Sequence, residues 1–221
     1  MKVFEGANDF LKKRFDIKSS TDLFSPMPKW VNWTYSFGGV TLILFILQII
    51  SGIYLTFFYI PSAQDASTSV KYIESSVFLG HFFRSLHRWG AAILVIFLIA
   101  HALRVFISRA YRYPREYIWW TGEAMFIITM GFIFTGYLLP WDIRAYWELL
   151  TTRNVASQIP VLGKAINAFL LSASSLNQVP IARYFAVHTI LLPILIGFGM
   201  VAHFWMIRRL GVARKIRGEM E

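Results

Sequence analysis

The chain contains no cysteine, which excludes disulfides, zinc–thiolate sites, iron–sulfur ligation and covalent thioether attachment of a haem within it. Charge is scarce as well. Only 15% of the 221 residues are Asp, Glu, Lys or Arg, against about 25% in an ordinary soluble domain, while 56% are hydrophobic and 17% aromatic. So much apolar side chain has to face lipid or a buried prosthetic group, and a free-standing soluble protein is nearly excluded. Acid is the scarcer sign, with 12 Asp and Glu against 22 Lys and Arg and a formal charge of +10. Internal repeats and low-complexity tracts are not evident.

A membrane span needs about 20 mainly apolar residues, and four stretches qualify: Trp33 to Ile60, Trp89 to Ile107, Ile118 to Leu139 and Tyr184 to Ile207. Prolines punctuate them. Pro61 follows the first, Pro114 precedes the third, Pro140 closes it and Pro180 precedes the fourth, where a missing N–H and a fixed φ do least harm. Pro193 alone lies inside a span and should distort it locally. The first stretch lacks the short apolar core and cleavage site of a signal peptide, so it is expected to be retained.

Charge placement gives the orientation. The stretch before the first span carries Lys2, Lys12, Lys13, Arg14, Lys18 and Lys29; the link between spans two and three carries Arg104, Arg109, Arg112 and Arg115; the tail carries Arg208, Arg209, Arg214, Lys215 and Arg217. These are 15 of the 22 basic residues, and four spans put all three segments on one face. The positive-inside rule makes that face cytoplasmic, with both termini on it. Topology thus accounts for the charge and no nucleic-acid partner is expected. Phe4, Phe10, Leu11, Phe15 and Ile17 alternate with charged residues at loosely helical spacing, which reads as an interfacial amphipathic helix. The expected fold is all-α: an interfacial segment over residues 1–30, a transmembrane four-helix bundle over 31–211 and a basic cytoplasmic tail over 212–221. Of the two opposite-face links, the one over 141–183 is long for a helix connection, which usually marks function or partner contact.

Histidine inside a span is costly and needs a partner. His87 and His101 stand 14 residues apart in the second span, and His188 and His203 stand 15 apart in the fourth. At about 1.5 Å per residue each pair is separated by roughly 21–22 Å along its helix. Two heptads return both histidines of a pair to one side of a left-handed bundle. Spans two and four run parallel, so His87 falls level with His188 and His101 with His203. Metal sites commonly add carboxylate or thiolate ligands, and no acidic residue stands at ligand spacing near these histidines. A haem iron brings four nitrogens of its own and needs only two axial ligands. The bland reading, four separately hydrogen-bonded core histidines, has to produce four matched positions by chance.

Spans one and three carry a matching signal. Gly38 and Gly52 are 14 apart, and so are Gly122 and Gly136; glycine lets a bulky group approach the backbone, although small-residue helix packing is the alternative. Haem propionates need cations, for which Arg84, Arg88, Arg104 and Arg208 are candidates. Topology signalling competes for Arg104 and Arg208, and structural ion pairing for Arg84 and Arg88. His81, outside the apolar core, is expected at a surface without a partner.

The strings Ser85-Leu-His87-Arg-Trp-Gly90, His101-Ala-Leu-Arg104-Val, Tyr113-Pro-Arg-Glu116, Gly136-Tyr-Leu-Leu-Pro-Trp-Asp142, Arg183-Tyr-Phe-Ala-Val-His188 and His203-Phe-Trp-Met-Ile-Arg208 resemble cytochrome b of quinol:cytochrome c oxidoreductases. The likeness runs from about Val31 to Gly211. The 14- and 15-residue spacings and the short chain are similar to the split form, cytochrome b6, and its relatives in bacterial menaquinol complexes. Three departures stand out. Ser36 occupies the place of the cysteine that tethers an extra haem in cytochrome b6, so no covalently attached haem is expected. The Pro-Glu-Trp-Tyr motif that completes the quinol-oxidation site is absent, as when later helices belong to a separate subunit. The family's acidic residue near the cytoplasmic-side quinone aligns imperfectly with Asp22.

The resemblance implies two noncovalent b haems, one on His87 and His188 at the outer side and one on His101 and His203 at the cytoplasmic side. It also implies a quinol/quinone substrate and a quinol pocket walled in part by Tyr137, Pro140, Trp141 and Asp142, whose competing reading is interfacial anchoring. Electrons would cross the membrane between the haems, from quinol oxidation to quinone reduction, with proton translocation. Implied partners are a subunit IV-like chain completing the quinol site, a Rieske iron–sulfur protein, a c-type cytochrome or plastocyanin-type acceptor, and a second copy of the chain. The implied location is a bacterial cytoplasmic membrane, integral and multi-pass. The alternatives are a dihaem membrane anchor of a dehydrogenase or hydrogenase, which the long 141–183 link and the glycine pairs disfavour, and a non-redox scaffold or transporter element.

Overall fold

The structure, a computed structural model, describes residues 32–171 and 178–211. The expected interfacial segment, the basic tail and Asp22 lie outside the described residues. Among those described, no strand occurs. Helix α1 spans Phe37–Thr56, after a 3-10 turn at Trp33–Ser36 whose N-cap Asn32 accepts from the Thr34 amide at 3.2 Å. Then follow α2 (Ala66–Ser75), α3 (Gly80–Ile107), α4 (Glu116–Leu138), α5 (Ile143–Ser157), α6 (Gly163–Leu171), α7 (Gln178–Ala186) and α8 (Leu192–Leu210). A single π turn, Val187–Leu191, joins the last two.

Among the described residues, four helical stretches are long and apolar enough to cross a membrane: Trp33–Thr56, Gly80–Ile107, Glu116–Leu138 and Ile181–Leu210. Their outward surfaces are apolar, with Ile96 65%, Ile127 70% and Phe198 74% exposed. Such a belt would be an aggregation surface in water and is the ordinary lining toward lipid. Helix α3 begins at Gly80, well before the apolar run that opens at Trp89. Hydropathy marks the lipid-facing part of a helix, whereas backbone hydrogen bonding continues through Arg84, Ser85 and Arg88. The two opposite-face links, which hold no long apolar run, fold into α2, α5 and α6. Asp142 starts α5 by accepting from the Arg144 and Ala145 amides, both at 3.0 Å, a side-chain N-cap.

The distortion expected at Pro193 takes the form of the π turn just before it. Proline removes one helical N–H and its ring collides with the carbonyl four residues back, here that of Thr189. The wider turn relieves both, and it carries His188.

The chain divides into two compact units. Among the described residues, one comprises 32–44, 93–128 and 195–211; the other comprises 45–92, 129–171 and 178–194. The second holds a cluster of Leu138, Ala145, Leu149 and Tyr184, with Phe134, Leu139 and Trp141 packed on it. It also holds Tyr59, whose hydroxyl donates to the Leu139 carbonyl at 2.6 Å while its ring stacks on Phe185. In the first unit, Arg115 donates to the carbonyls of Leu210 at 2.9 Å and Gly211 at 3.5 Å, tying the start of α4 to the end of α8.

Candidate functional site

Each unit contains one pair of intramembrane histidines. His87 on α3 and His188 on the π turn meet edge-on in one unit, with ring centroids 6.2 Å apart and planes at 68°. In the other unit, His101 on α3 lies within electrostatic reach of His203 on α8. Among the described residues no third His, Cys, Asp or Glu joins either pair to make a group that could hold an ion alone.

Every one of these rings lies against a glycine of the neighbouring span. A Cβ placed on Gly52 would stand 3.2 Å from Cε1 of His87, and one on Gly38 would stand 3.0 Å from Cε1 of His101. On Gly136 it would stand 2.7 Å from Cε1 of His188, and on Gly122 3.5 Å from Cε1 of His203. The close approach made possible by glycine is therefore between backbone and imidazole, one glycine per histidine. Gly131 and Gly199 do different work: the same atom would meet Leu192 and Met125 respectively, which is helix packing.

Three side chains that the spacing argument passed over complete the site. Ser51 Oγ lies 2.9 Å from Nδ1 of His87, Thr135 Oγ1 lies 3.0 Å from Nδ1 of His188, and Thr121 Oγ1 lies 2.9 Å from Nδ1 of His203. Each immediately precedes its glycine, and that hydroxyl–glycine dipeptide is visible in the sequence once the role of the glycine is known.

The candidate cations separate. The Arg104 guanidinium carbon sits 3.4 Å from the Tyr35 ring centroid, and its Nη2 is buried without a hydrogen-bond partner. Gln48 Nε2, four residues before Gly52, is buried and unpartnered in the same sense. Arg84 is already engaged, donating to Glu74 at 3.0 Å, while Arg88 and Arg208 are exposed. His81 was expected without a partner, and here the structure differs: its Nδ1 lies 3.6 Å from the same Glu74 carboxylate, because α2 brings Glu74 up to the first turn of α3.

Of the quinol-wall candidates, Tyr137 is 48% exposed and Trp141 packs on the Leu138 cluster. The backbone of Trp141 adopts φ 49°, a left-handed conformation that costs a residue with a Cβ. Pro140 is half-buried, and Asp142 is occupied as the cap of α5. A small open cavity of about 260 Å³, lined by apolar side chains and Glu123, falls short of an ordinary ligand pocket and does not include the histidines.

Two facing imidazoles with no third ligand suit a metal that supplies its own equatorial donors. A haem iron does so, and an anionic propionate is the kind of partner that buried Arg104 Nη2 lacks. The residues present fit that group.

The sequence model of the family Cytochrome b/b6/petB matches residues 22–211. The chain is 38% identical over 207 residues to cytochrome b6 of Synechococcus sp. (strain CC9311), covering 93% of this chain and 95% of that one. It is 38% identical to cytochrome b6 of Mastigocladus laminosus, covering 93% and 96%. Among solved structures it is similar to a chain of a hyperthermophilic respiratory Complex III, with a TM-score of 0.77 and 24% identity. It spans 98% of its own length and 56% of that chain. On the family match and these identities, the chain belongs to the cytochrome b/b6 family of integral membrane electron-transport proteins.

Proposed function

We propose that the protein is the dihaem cytochrome b subunit of a quinol:cytochrome c, or plastocyanin-type, oxidoreductase, carrying electrons across the membrane from quinol oxidation to quinone reduction with proton translocation. What supports the proposal is the edge-on pairing of His87 with His188 beside Gly52 and Gly136, together with the placing of His101 and His203 against Gly38 and Gly122. When bound, haem supplies reversible one-electron iron chemistry. The chain would supply the holding: His87 and His188 would hold one haem, His101 and His203 the other, and Arg104 would pair with a propionate. Held by two histidines, each haem would serve electron transfer in preference to oxygen chemistry. The apolar helices keep water from the rings.

Tyr137, Pro140, Trp141 and Asp142 stand where α4 gives way to α5, and in this proposal they form part of the quinol pocket wall. Asp142 fixes the start of α5 and so the path of the wall. A subunit IV-like chain completes that pocket, with a Rieske iron–sulfur protein and a soluble acceptor as further partners and a second copy as dimer mate. The basic link after α3 faces the cytoplasm of a bacterial cell.

The test is a pyridine haemochrome assay with reductive titration of the purified complex. Two b haems of distinct potential are expected, with one lost in His87→Ala and the other in His203→Ala. Two full equivalents of low-spin haem in either variant would refute the ligand assignment. Co-purification with an iron–sulfur protein supports the quinol:acceptor complex over a dehydrogenase anchor.

A further inference from the structure

The hydroxyls beside three of the histidines do more than fill space. Ser51 bonds back to its own helix, donating to the Leu47 carbonyl at 2.7 Å. Thr135 does the same to Gly131 at 2.7 Å, and Thr121 to Tyr117 at 3.0 Å and Ile118 at 2.9 Å. A hydroxyl has one proton and two lone pairs. With the proton directed at a backbone carbonyl, which can only accept, the oxygen offers lone pairs to the imidazole. Nδ1 is then the N–H donor, and Nε2 carries the free electron pair.

From this geometry we infer that Ser51, Thr135 and Thr121 are positioning residues that hold His87, His188 and His203 in the Nδ1-protonated tautomer and strengthen each ring as an iron ligand at Nε2. The inference rests on the haem ligation proposed above. A hydrogen bond from the far N–H of a ligating histidine fixes the ring and raises its basicity, which favours ferric over ferrous iron. The fourth ring breaks the pattern. Gly38 is preceded by Phe37, which has no hydroxyl and packs edge-on against Trp33 and Phe97, with centroids 5.4 and 6.0 Å away. The two sites are therefore chemically unequal: both ligands are hydroxyl-bonded at His87 and His188, and only His203 is at the other.

The experiment is a reductive titration of the purified complex, with haem counted by pyridine haemochrome. Thr121→Val and Thr135→Val, which keep the side-chain volume, should each raise the ferrous-to-ferric ratio at fixed ambient potential about fivefold, the factor supplied by one net hydrogen bond. The change should fall on the haem of the altered site alone. Thr121→Ser and Thr135→Ser should restore the original ratio, which a purely packing role would not. Ser51→Ala, a smaller change at a fully buried position, carries the same expectation for the His87 site should Thr135→Val fail to assemble. Phe37→Ser, which supplies the missing hydroxyl beside Gly38, should lower the ratio at the His101 and His203 haem. Two retained haems with ratios unmoved by the loss of the hydroxyls would overturn the inference and leave the ligation standing. A wild-type complex without haem would overturn both.

Discussion

Gly136 lies so close to His188 that a Cβ on it would fall 2.7 Å from the ring, whereas a Cβ on Gly122 would stand 3.5 Å from His203. Both glycines follow a threonine and both face an imidazole, yet only the first has no room for a methyl group. The neighbour at Gly136 is a ring pinned by Thr135, so it cannot swing away cheaply. Gly136→Ala should cost about 1–3 kcal/mol through overpacking and release the haem of that site. Gly122→Ala should keep both haems and gain up to about 1 kcal/mol from the better helix propensity of alanine. Haem content and thermal midpoint of the two variants check this, and equal behaviour would remove the steric distinction.

Arg104 has its charge over Tyr35 and one nitrogen buried without a partner. In the proposed site that charge would serve a propionate and favour the ferrous state of the haem held by His101 and His203. A unit charge acting over about 10 Å at an effective dielectric constant of about 20 is worth about 1.7 kcal/mol. Arg104→Gln should therefore lower the ferrous-to-ferric ratio at the His101 and His203 haem by more than about tenfold at fixed potential. The His87 and His188 haem should be unaffected. Arg104→Lys keeps the charge and should shift the ratio far less.

The four spans and the four histidines were legible because both follow rules that one sequence exposes: long apolar runs, and a costly residue type recurring at helical spacing. The hydroxyls of Ser51, Thr121 and Thr135 were not. Serine and threonine are ordinary inside membrane helices, where bonding to the preceding turn hides their polarity, and only the fold shows which histidine stands opposite. Helices α2 and α5 are not legible for a related reason, being short segments of mixed polarity in links whose composition reads as loop. The Asp142 cap was hidden by the functional reading attached to its motif. Pro193 announced a distortion, but its form as a π turn around His188 depends on where the strain is relieved.

The first membrane helix ends at Thr56, short of the expected Ile60, so Tyr59 lies beyond it, and burial pushes its phenol above the ordinary value of 10.0. Folded, it stays neutral and donates to Leu139; unfolded, it ionises in the normal range. Its contribution is full below pH about 10 and is lost progressively as pH climbs through the raised folded value. Tyr59→Phe should cost about 1 kcal/mol at neutral pH through the lost hydrogen bond. The gap between the two proteins should close as pH rises above about 10. Thermal midpoints measured at pH 7 and pH 10.5 test this, and a gap that widens with pH would contradict it.

Arg115 sits at the start of α4 and supplies a positive charge to the exposed carbonyls at the end of α8, where a helix C-terminus favours a cation. Burial lowers its pKa, yet guanidinium has such a high starting value that the group stays charged at neutral pH. Hydrogen bonds to a charged donor are worth about 1.5–3 kcal/mol, so Arg115→Ala should destabilise by about that amount. Part of the loss comes from the Leu210 carbonyl, which is left without this partner. Arg115→Lys reaches with a single ammonium in place of a fork and should recover only part of it. Hydrogen exchange at the last turn of α8 should rise in Arg115→Ala while exchange in the Leu138 cluster stays unchanged. Exchange unchanged at both places would show that the end of α8 is held by other contacts.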